Sequence, residues 1–181
     1  MTRGAGETGI YFRREDYASF WRRAFVDLVD VAIAGAVTIG LTMLIWTMLP
    51  GADDAAVLML VGFTAGYGYF VVLKRSRWRT PGYRLGGVQI VGLDGRTPGW
   101  GALTMRFAFA FLGPVNWALD LLFLSGDRYR QAVRDKLAHT LVIRAGAQPA
   151  GEGRVVYRYY HILFYNVLSR EVAIQETGGE G

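Results

Sequence analysis

Two uncharged stretches of sequence decide the fold: VAIAGAVTIGLTMLIWTML (residues 31–49) and AAVLMLVGFTAGYGYFVVL (residues 55–73). Each is nineteen residues long, and an apolar α-helix needs about 20 residues to cross the hydrocarbon core of a bilayer. Only residues 50–54, which end in two aspartates, separate the stretches. The sequence therefore predicts two membrane-spanning helices joined by a tight acidic turn.

The charged residues indicate which side of the membrane each segment occupies. Residues 74–106 hold seven Lys/Arg against one acid, and residues 1–23 hold five arginines against three acids. An excess of Lys/Arg marks the cytoplasmic side of a membrane protein, and it also attracts anionic lipid head groups. We therefore expect a multi-pass protein of a bacterial-type cytoplasmic (inner) membrane with a cytoplasmic N-terminus. Its expected partners are the lipid bilayer and its anionic head groups, not nucleic acid.

A third apolar segment, residues 107–126, allows two topologies. It carries one charge, Asp120, and is interrupted by Gly113-Pro114. As a third span, it would place the basic residues after it outside, against the positive-inside rule. As a re-entrant hairpin, or as two short interfacial helices, it keeps them in the cytoplasm. We favour the hairpin over the third span.

The rest of the chain predicts little regular structure. Leu85–Leu93 and Thr140–Arg144 have the composition of short strands and could pair as a small cytoplasmic β-hairpin-like element. The expected fold class is thus an all-α membrane protein with this one extended element. We expect three regions: a flexible polar arm (1–17), a membrane domain (18–144), and a tail (145–181). The tail would hold a linker, an aromatic segment at 155–168 that lies at the interface or docks on the spans, and a disordered end.

Several kinds of active site are excluded by composition and motifs. The chain has no cysteine and only two histidines, His139 and His161, so it lacks a thiolate nucleophile and a histidine-rich metal site within one chain. It has no zinc-protease motif, P-loop or nucleophile elbow. We therefore expect no enzyme activity, catalytic residue, cofactor or metal. A membrane enzyme acting on lipid is the alternative.

A charged stripe precedes the first apolar stretch. Arg23, Asp27 and Asp30 follow one another at i, i+4 and i+7, so they share one face of a helix. An ionised aspartate costs about 2.5–3.5 kcal/mol at mid-membrane on insertion scales, and less near a helix end. We therefore expect Asp30 to turn inward and to pair with Arg23.

Small residues recur at helical spacing in both spans. Ala32, Ala36 and Gly40 share one face of the first span, and Gly62 and Gly66 form a GxxxG motif in the second. Such faces let helices approach closely in lipid. They predict either packing of the two spans within one chain or the seam of a homo-oligomer.

Four blocks of the chain, in the same order, resemble the RDD family of small membrane proteins, which is named for one Arg and two Asp. The blocks are FWRRAFVDLVD (20–30), TPGYRLGGVQIV (80–91), LDG with LTMR (93–95 and 103–106), and RQAVRDKLAHTLVI (130–143). The resemblance extends over roughly residues 18–144. The chain departs from the family pattern at Tyr83, where the family has Lys, and at His139, where it has a small residue.

The resemblance implies a transport role, since some members are associated with sodium/proton exchange. It would make Asp30 and Asp135 ion- or proton-binding carboxylates with Arg23 as their charge partner. Asn116 and Asp120, at i and i+4, would be candidate lining residues of a route that an oligomer encloses.

In the structural alternative, the same charged residues hold the fold together and no ion is transported. In it, a network at the cytoplasmic membrane edge pins the first helix to the small sheet, and the protein is a scaffold or an accessory subunit of a membrane partner. The members of this charged network, which is also the candidate ion or proton site, are Arg23, Asp27, Asp30, Arg130 and Asp135.

Overall fold

The structure is a computed structural model that describes residues 7–51, 54–111, 120, 123–124, 126–127, 129–162 and 165–173. The chain forms two compact units. The first, here called the span unit, is Ser19–Val88. The second, here called the sheet unit, combines Met1–Ala18 with Gln89–Gly181.

The span unit contains the two predicted apolar helices. Helix α1 (Phe20–Met48) begins after Ser19, as expected, and ends just before Pro50. Helix α2 (Asp54–Tyr67) continues as a π-helical turn through Gly68–Leu73. Both are long and apolar enough to cross a membrane. Large apolar side chains such as Met59 (75% exposed) and Leu60 (70%) point away from the protein, which suits a helix in lipid and not the core of a soluble domain.

Helix α1 packs against α2 and against the short helix α3 (Pro81–Leu85). Ala34 and Thr42 are buried on α1, and Val61 and Gly66 are buried on α2. A side chain added at Gly62 would touch Thr38 at 3.7 Å, so the GxxxG motif of α2 lies at the contact between the helices.

The small-residue face that the sequence predicts for α1 is not the face that contacts α2. Ala32, Ala36 and Gly40 are all exposed, and a Cβ at Gly40 would meet no atom within 4 Å. The expectation that these residues pack on α2 is therefore wrong, because α1 presents the face of Ala34, Thr38 and Thr42 instead. The homo-oligomer seam stays a prediction.

The sheet unit is rich in strands, so the all-α expectation needs correction. Its β2 (Val88–Gly92), which begins at the unit boundary, pairs with β3 (Thr140–Arg144), as the sequence predicts. A second sheet has the order β1-β4-β5 and consists of antiparallel β1 (Thr8–Tyr11), β4 (Gly151–Ile162) and β5 (Tyr165–Ala173). Segments expected to be a polar arm, a linker and an interfacial element thus contribute strands. The β-branched and aromatic residues at 155–160 explain the strand conformation of β4.

The described part of the sheet unit also contains a 3-10 turn (Arg14–Asp16) and two α-helices, α4 (Trp100–Phe111) and α5 (Val133–Ala138). The core of the unit consists of buried apolar side chains between β2, β3 and the segment after β1, namely Phe12, Tyr17, Val91, Leu141 and Ile143. The break at Gly113-Pro114 lies outside the described residues. The choice between a hairpin and a third span therefore stays a prediction.

Candidate functional site

The carboxylate of Asp30 is completely buried and accepts three hydrogen bonds within the span unit. The Thr80 hydroxyl donates to Oδ2 at 2.6 Å, and the Gly82 N–H donates to Oδ1 at 2.8 Å. The Tyr69 hydroxyl also donates to Oδ1, at 3.0 Å. Asp30 therefore ties α1 to the start of α3 and to the π-helical turn after α2.

The Thr80-Pro81-Gly82 sequence explains how this contact forms. Thr80 is extended, Pro81 begins α3, and the next free N–H group is that of Gly82. A Cβ on Gly82 would lie 2.5 Å from Asp30 Oδ1 and 2.5 Å from the Val26 carbonyl oxygen. Only glycine therefore fits against the carboxylate without movement of α1 or α3.

Arg23 and Asp27 are buried on the same side of α1 as Asp30, at 3% and 7% exposure. The described hydrogen bonds of Asp30 come from neutral groups, and Arg23 is not among the donors. The Arg23–Asp30 pair thus stays a prediction. Tyr83, which stands where the family has Lys, is buried, and the Lys74 ammonium lies 4.2 Å from its ring centroid. A cation therefore still lies next to position 83.

The second aspartate of the resemblance, Asp135, is also completely buried, and its partners lie in the sheet unit. The Arg106 guanidinium donates to Oδ1 and, at 2.7 Å, to the Thr140 hydroxyl. The Ala132 N–H donates to Oδ2 at 3.0 Å, which satisfies one free backbone donor at the start of α5. Asp135 therefore joins α5 to α4 and to β3 through Arg106.

The neighbours of Asp135 are buried charges as well. Arg134 binds Asp120, with its Nε 2.8 Å from Oδ2 and its backbone N–H 2.9 Å from Oδ1. The Lys136 ammonium lies 2.7 Å from Asp127 Oδ2 and 2.5 Å from Glu171 Oε1. Successive helical residues point about 100° apart. Three consecutive charges on one short helix thus reach four oppositely charged partners, Asp120, Arg106, Asp127 and Glu171.

Asp120 and Arg130, two further residues of the predicted site, have different partners in the structure. Asp120, predicted to line an ion route, is bound by Arg134, while Asn116 lies outside the described residues. Arg130 has a left-handed backbone (φ 48°), and its Nη1 donates to the Tyr17 carbonyl at 3.4 Å. The structure thus brings Asp120 and Asp135 to one short helix, each with its own cation. The single network of Arg23, Asp30, Arg130 and Asp135 stays a prediction.

Burial shifts the pKa of three side chains in the sheet unit. It raises the pKa of Tyr17 to about 12 and lowers the pKa of His139 below 6.5. It also raises the pKa of Tyr160, whose hydroxyl donates to Glu171. These side chains are consequently neutral at physiological pH. Among the residues that the structure describes, no cluster of three or more His, Cys, Asp or Glu side chains could hold a metal ion.

Several partners at these sites do not follow from sequence spacing. Tyr69, Thr80 and Gly82 bind Asp30 from 39 to 52 residues away. Lys136 and Glu171 pair across 35 residues, and Glu171 lies in the tail that was expected to hold a linker, an aromatic interfacial segment and a disordered end. Of the missed residues, Thr80, Gly82 and Arg106 stand inside the quoted sequence blocks, and that is the signal that could have found them.

Comparison with known proteins agrees with the sequence blocks. No curated protein and no solved structure matches the chain. A model of the RDD family matches residues 17–139, which include Arg23, Asp30, Arg106 and Asp135. The match covers more than half of the chain, so this chain belongs to the RDD family of membrane proteins.

Proposed function

We propose that the protein is a structural or accessory subunit of a protein assembly in the cytoplasmic (inner) membrane. Its N-terminus lies in the cytoplasm. One observation carries the proposal: Asp30 and Asp135 both accept hydrogen bonds from protein donors that fix neighbouring elements. These hydrogen bonds hold both carboxylates against neighbouring elements of the fold. A carboxylate that carries protons would have to break these hydrogen bonds in every transport cycle. The family carboxylates are thus better suited to holding the fold than to carrying ions.

The proposed partners follow from the surface of the span unit. The basic segment Lys74–Arg79 follows α2 and suits anionic lipid head groups. The exposed small-residue face of α1 suits a second copy or another membrane helix. We propose no enzymatic activity and no nucleic-acid partner.

The experiment is Asp30→Asn in a host that lacks the native protein. The variant weakens hydrogen bonds to a charged group, which contribute about 1.5–3 kcal/mol each. A structural role predicts lower abundance in the membrane and a lower unfolding temperature of the purified protein. Asp94→Asn, at an exposed turn, is the matched control and should change neither quantity.

Ion- or proton-coupled transport, as a component of an oligomer, is the second candidate. It is favoured by the complete burial of Asp30 in a helix long enough to span the membrane, because buried intramembrane carboxylates mark ion and proton routes. This role predicts normal abundance of the Asp30→Asn variant with loss of cation-driven proton flux in proteoliposomes. Normal abundance with unchanged flux would contradict both roles for Asp30.

A further inference from the structure

A cationic surface of the span unit lies at helix α3 and in the segment before it. Residues 55–93 contain five Lys/Arg and no acid. Arg77 and Arg84 are exposed, and neither forms an ion pair with any residue that the structure describes. The Lys74 ammonium, by contrast, lies 4.2 Å from the ring centroid of Tyr83. The two exposed arginines therefore present positive charge that no described side chain neutralises.

Each of these arginines is followed in the sequence by an exposed apolar side chain. Trp78 is 66% exposed and Leu85 is 70% exposed. Tryptophan concentrates at the boundary between lipid and water, and a guanidinium group binds phosphate oxygens through two parallel N–H donors. A cation beside an apolar side chain suits a phospholipid, in which a phosphate stands next to apolar acyl chains. The residues Arg77, Trp78, Arg84 and Leu85 are here called the α3 surface.

Hydrogen bonds of the backbone keep this segment compact. The Arg79 N–H donates to the Ser76 carbonyl at 3.1 Å, and the Arg84 N–H donates to the Thr80 carbonyl at 3.0 Å. Residues 76–84 thus form two successive turns, not an extended stretch. The two halves of the α3 surface therefore belong to one short, folded piece of chain.

The position of α3 along α1 places this surface at the level of the lipid head groups. Helix α1 has 29 residues and is about 43 Å long, whereas the hydrocarbon core measures about 30 Å. The turn after Met48, which contains two aspartates, lies beyond the far boundary of that core. About 20 residues counted back from Met48 end at Val29. Helix α3 packs on α1 at Val26 and Asp30, so it lies at the near boundary.

We propose that the α3 surface binds phospholipid with an anionic head group. Arg77 and Arg84 bind phosphate oxygens. Trp78 lies at the boundary, and Leu85 packs against the upper part of an acyl chain. Charge complementarity selects this occupant, because cations without a neighbouring acid lie at the depth of the lipid phosphates. The inference rests on the anionic-lipid partnership proposed above and names its site.

Lipid bound at the α3 surface also stabilises the contact between Asp30 and α3. Thr80 and Gly82, which donate to the Asp30 carboxylate, lie between the two arginines in the chain. A ligand that binds only the folded arrangement stabilises it by mass action. Anionic lipid is therefore expected to raise the unfolding temperature of the protein, and zwitterionic lipid to raise it much less.

The test uses the full-length protein, purified in a neutral detergent and titrated with phosphatidylglycerol or phosphatidylcholine. Native mass spectrometry measures how much lipid stays bound, and thermal unfolding measures the stabilisation. The test variant is Arg77→Gln, Arg84→Gln. The matched control is Arg96→Gln, Arg144→Gln, which removes the same charge at two exposed positions of the sheet unit.

A basic residue near an anionic surface increases binding about fivefold, so the loss of two should weaken it about 25-fold. The test variant should therefore need about 25-fold more phosphatidylglycerol for half occupancy, with phosphatidylcholine binding unchanged. Its unfolding temperature without lipid should equal that of the wild-type protein, and phosphatidylglycerol should raise it much less. The control variant should bind lipid and respond to it like the wild-type protein.

Three results would overturn the proposal. An equal loss of phosphatidylglycerol binding in the control variant would mean attraction to the net charge and not to the α3 surface. A lower unfolding temperature of the test variant without lipid would assign Arg77 and Arg84 to the fold itself. Equal stabilisation of the wild-type protein by glycerol 3-phosphate would identify a site for soluble phosphate. Asp30→Asn, measured without lipid, tests the structural role separately, so either proposal can fail while the other stands.

Discussion

At position 82 only a hydrogen atom fits between the carboxylate of Asp30 and the Val26 carbonyl. We expect Gly82→Ala to lower the free energy of unfolding by about 1–3 kcal/mol, because overpacking of a closed contact forces the backbone to shift. Thermal unfolding of the purified protein and its abundance in the membrane measure the effect. Gly35→Ala is the control, since a Cβ at Gly35 meets no atom within 4 Å. Equal behaviour of the two variants would show that Asp30 and Gly82 are not held together.

His139 ends α5 in a left-handed conformation (φ 52°, ψ 47°), which costs an L-residue about 1–2 kcal/mol. We expect His139→Gly to raise the free energy of unfolding by about 1 kcal/mol at neutral pH, because glycine adopts this conformation freely. The family's small residue at this position is consistent with the same backbone requirement. Chemical denaturation at neutral pH measures the gain, and His161→Asn, at an exposed histidine, should give none.

The same histidine makes stability depend on pH in a defined direction. Burial lowers the pKa of His139 in the folded chain below its ordinary value of 6.5. The unfolded chain therefore takes up the proton first, and stability falls as the pH falls below 6.5 toward the folded pKa. His139→Gly should flatten this part of the stability profile. An unchanged profile would assign the acid sensitivity to other groups.

At the scale of elements, α5 carries three consecutive buried charged residues, Arg134, Asp135 and Lys136. We expect Lys136→Met to destabilise the protein by about 3–5 kcal/mol, because it leaves Asp127 and Glu171 buried without their shared cation. Arg158→Gln is the matched control, since its side chain is mostly exposed and 3.7 Å from Glu171, and exposed pairs contribute at most about 1 kcal/mol. Denaturant unfolding compares the two variants, and similar losses would mean that Lys136 holds nothing in place.

Elements whose signal is local were predictable from the sequence. The two spans follow from uninterrupted apolar composition, and β2 and β3 follow from short apolar runs between turn residues. The hairpin was missed because 155–168 was assigned to the membrane interface from its tyrosines, without weighing the strand preference of β-branched and aromatic residues. A run of charges such as Arg134-Asp135-Lys136 has the composition of a solvated helix. Its burial depends on Asp120, Asp127 and Glu171, which lie elsewhere in the sequence.

The candidate sites show the same limit on what the sequence predicts. Resemblance to the family located Asp30 and Asp135, since both stand in recognisable blocks. It did not give their donors, because hydrogen bonds across 29 to 52 residues depend on tertiary packing. Arg23 was grouped with Asp30 by helical spacing and by resemblance to the family, and Arg130 was added as a further basic residue of the network. Charge complementarity in a sequence does not define which cation reaches which carboxylate.

At the scale of the whole molecule, the two family aspartates act locally. The described partners of Asp30 all belong to the span unit, and those of Asp135 all belong to the sheet unit. Loss of one carboxylate is therefore expected to weaken its own unit first. This expectation belongs to the structural role proposed for both residues.

The side of the membrane on which each unit lies is the last prediction. We expect a single thiol from Asp54→Cys, at the first residue of α2, to react with a membrane-impermeant maleimide in intact cells. A thiol from Gln148→Cys, between β3 and β4, should react only after permeabilisation, because the basic segments before it belong in the cytoplasm. Both positions are exposed, so folding does not limit the reaction.

The opposite result at position 148 would change the interpretation of the whole chain. Labelling of Gln148→Cys in intact cells, with Asp54→Cys also labelled, requires one more crossing between α2 and β3. Residues 107–126 would then be a third span, and Asp135 would lie outside the cell, although Arg106, its partner in the structure, precedes that span on the inner side. A cytoplasmic accessory role for the sheet unit would then be excluded. Labelling of Gln148→Cys only after permeabilisation places the sheet unit on the membrane side where basic residues meet anionic lipid.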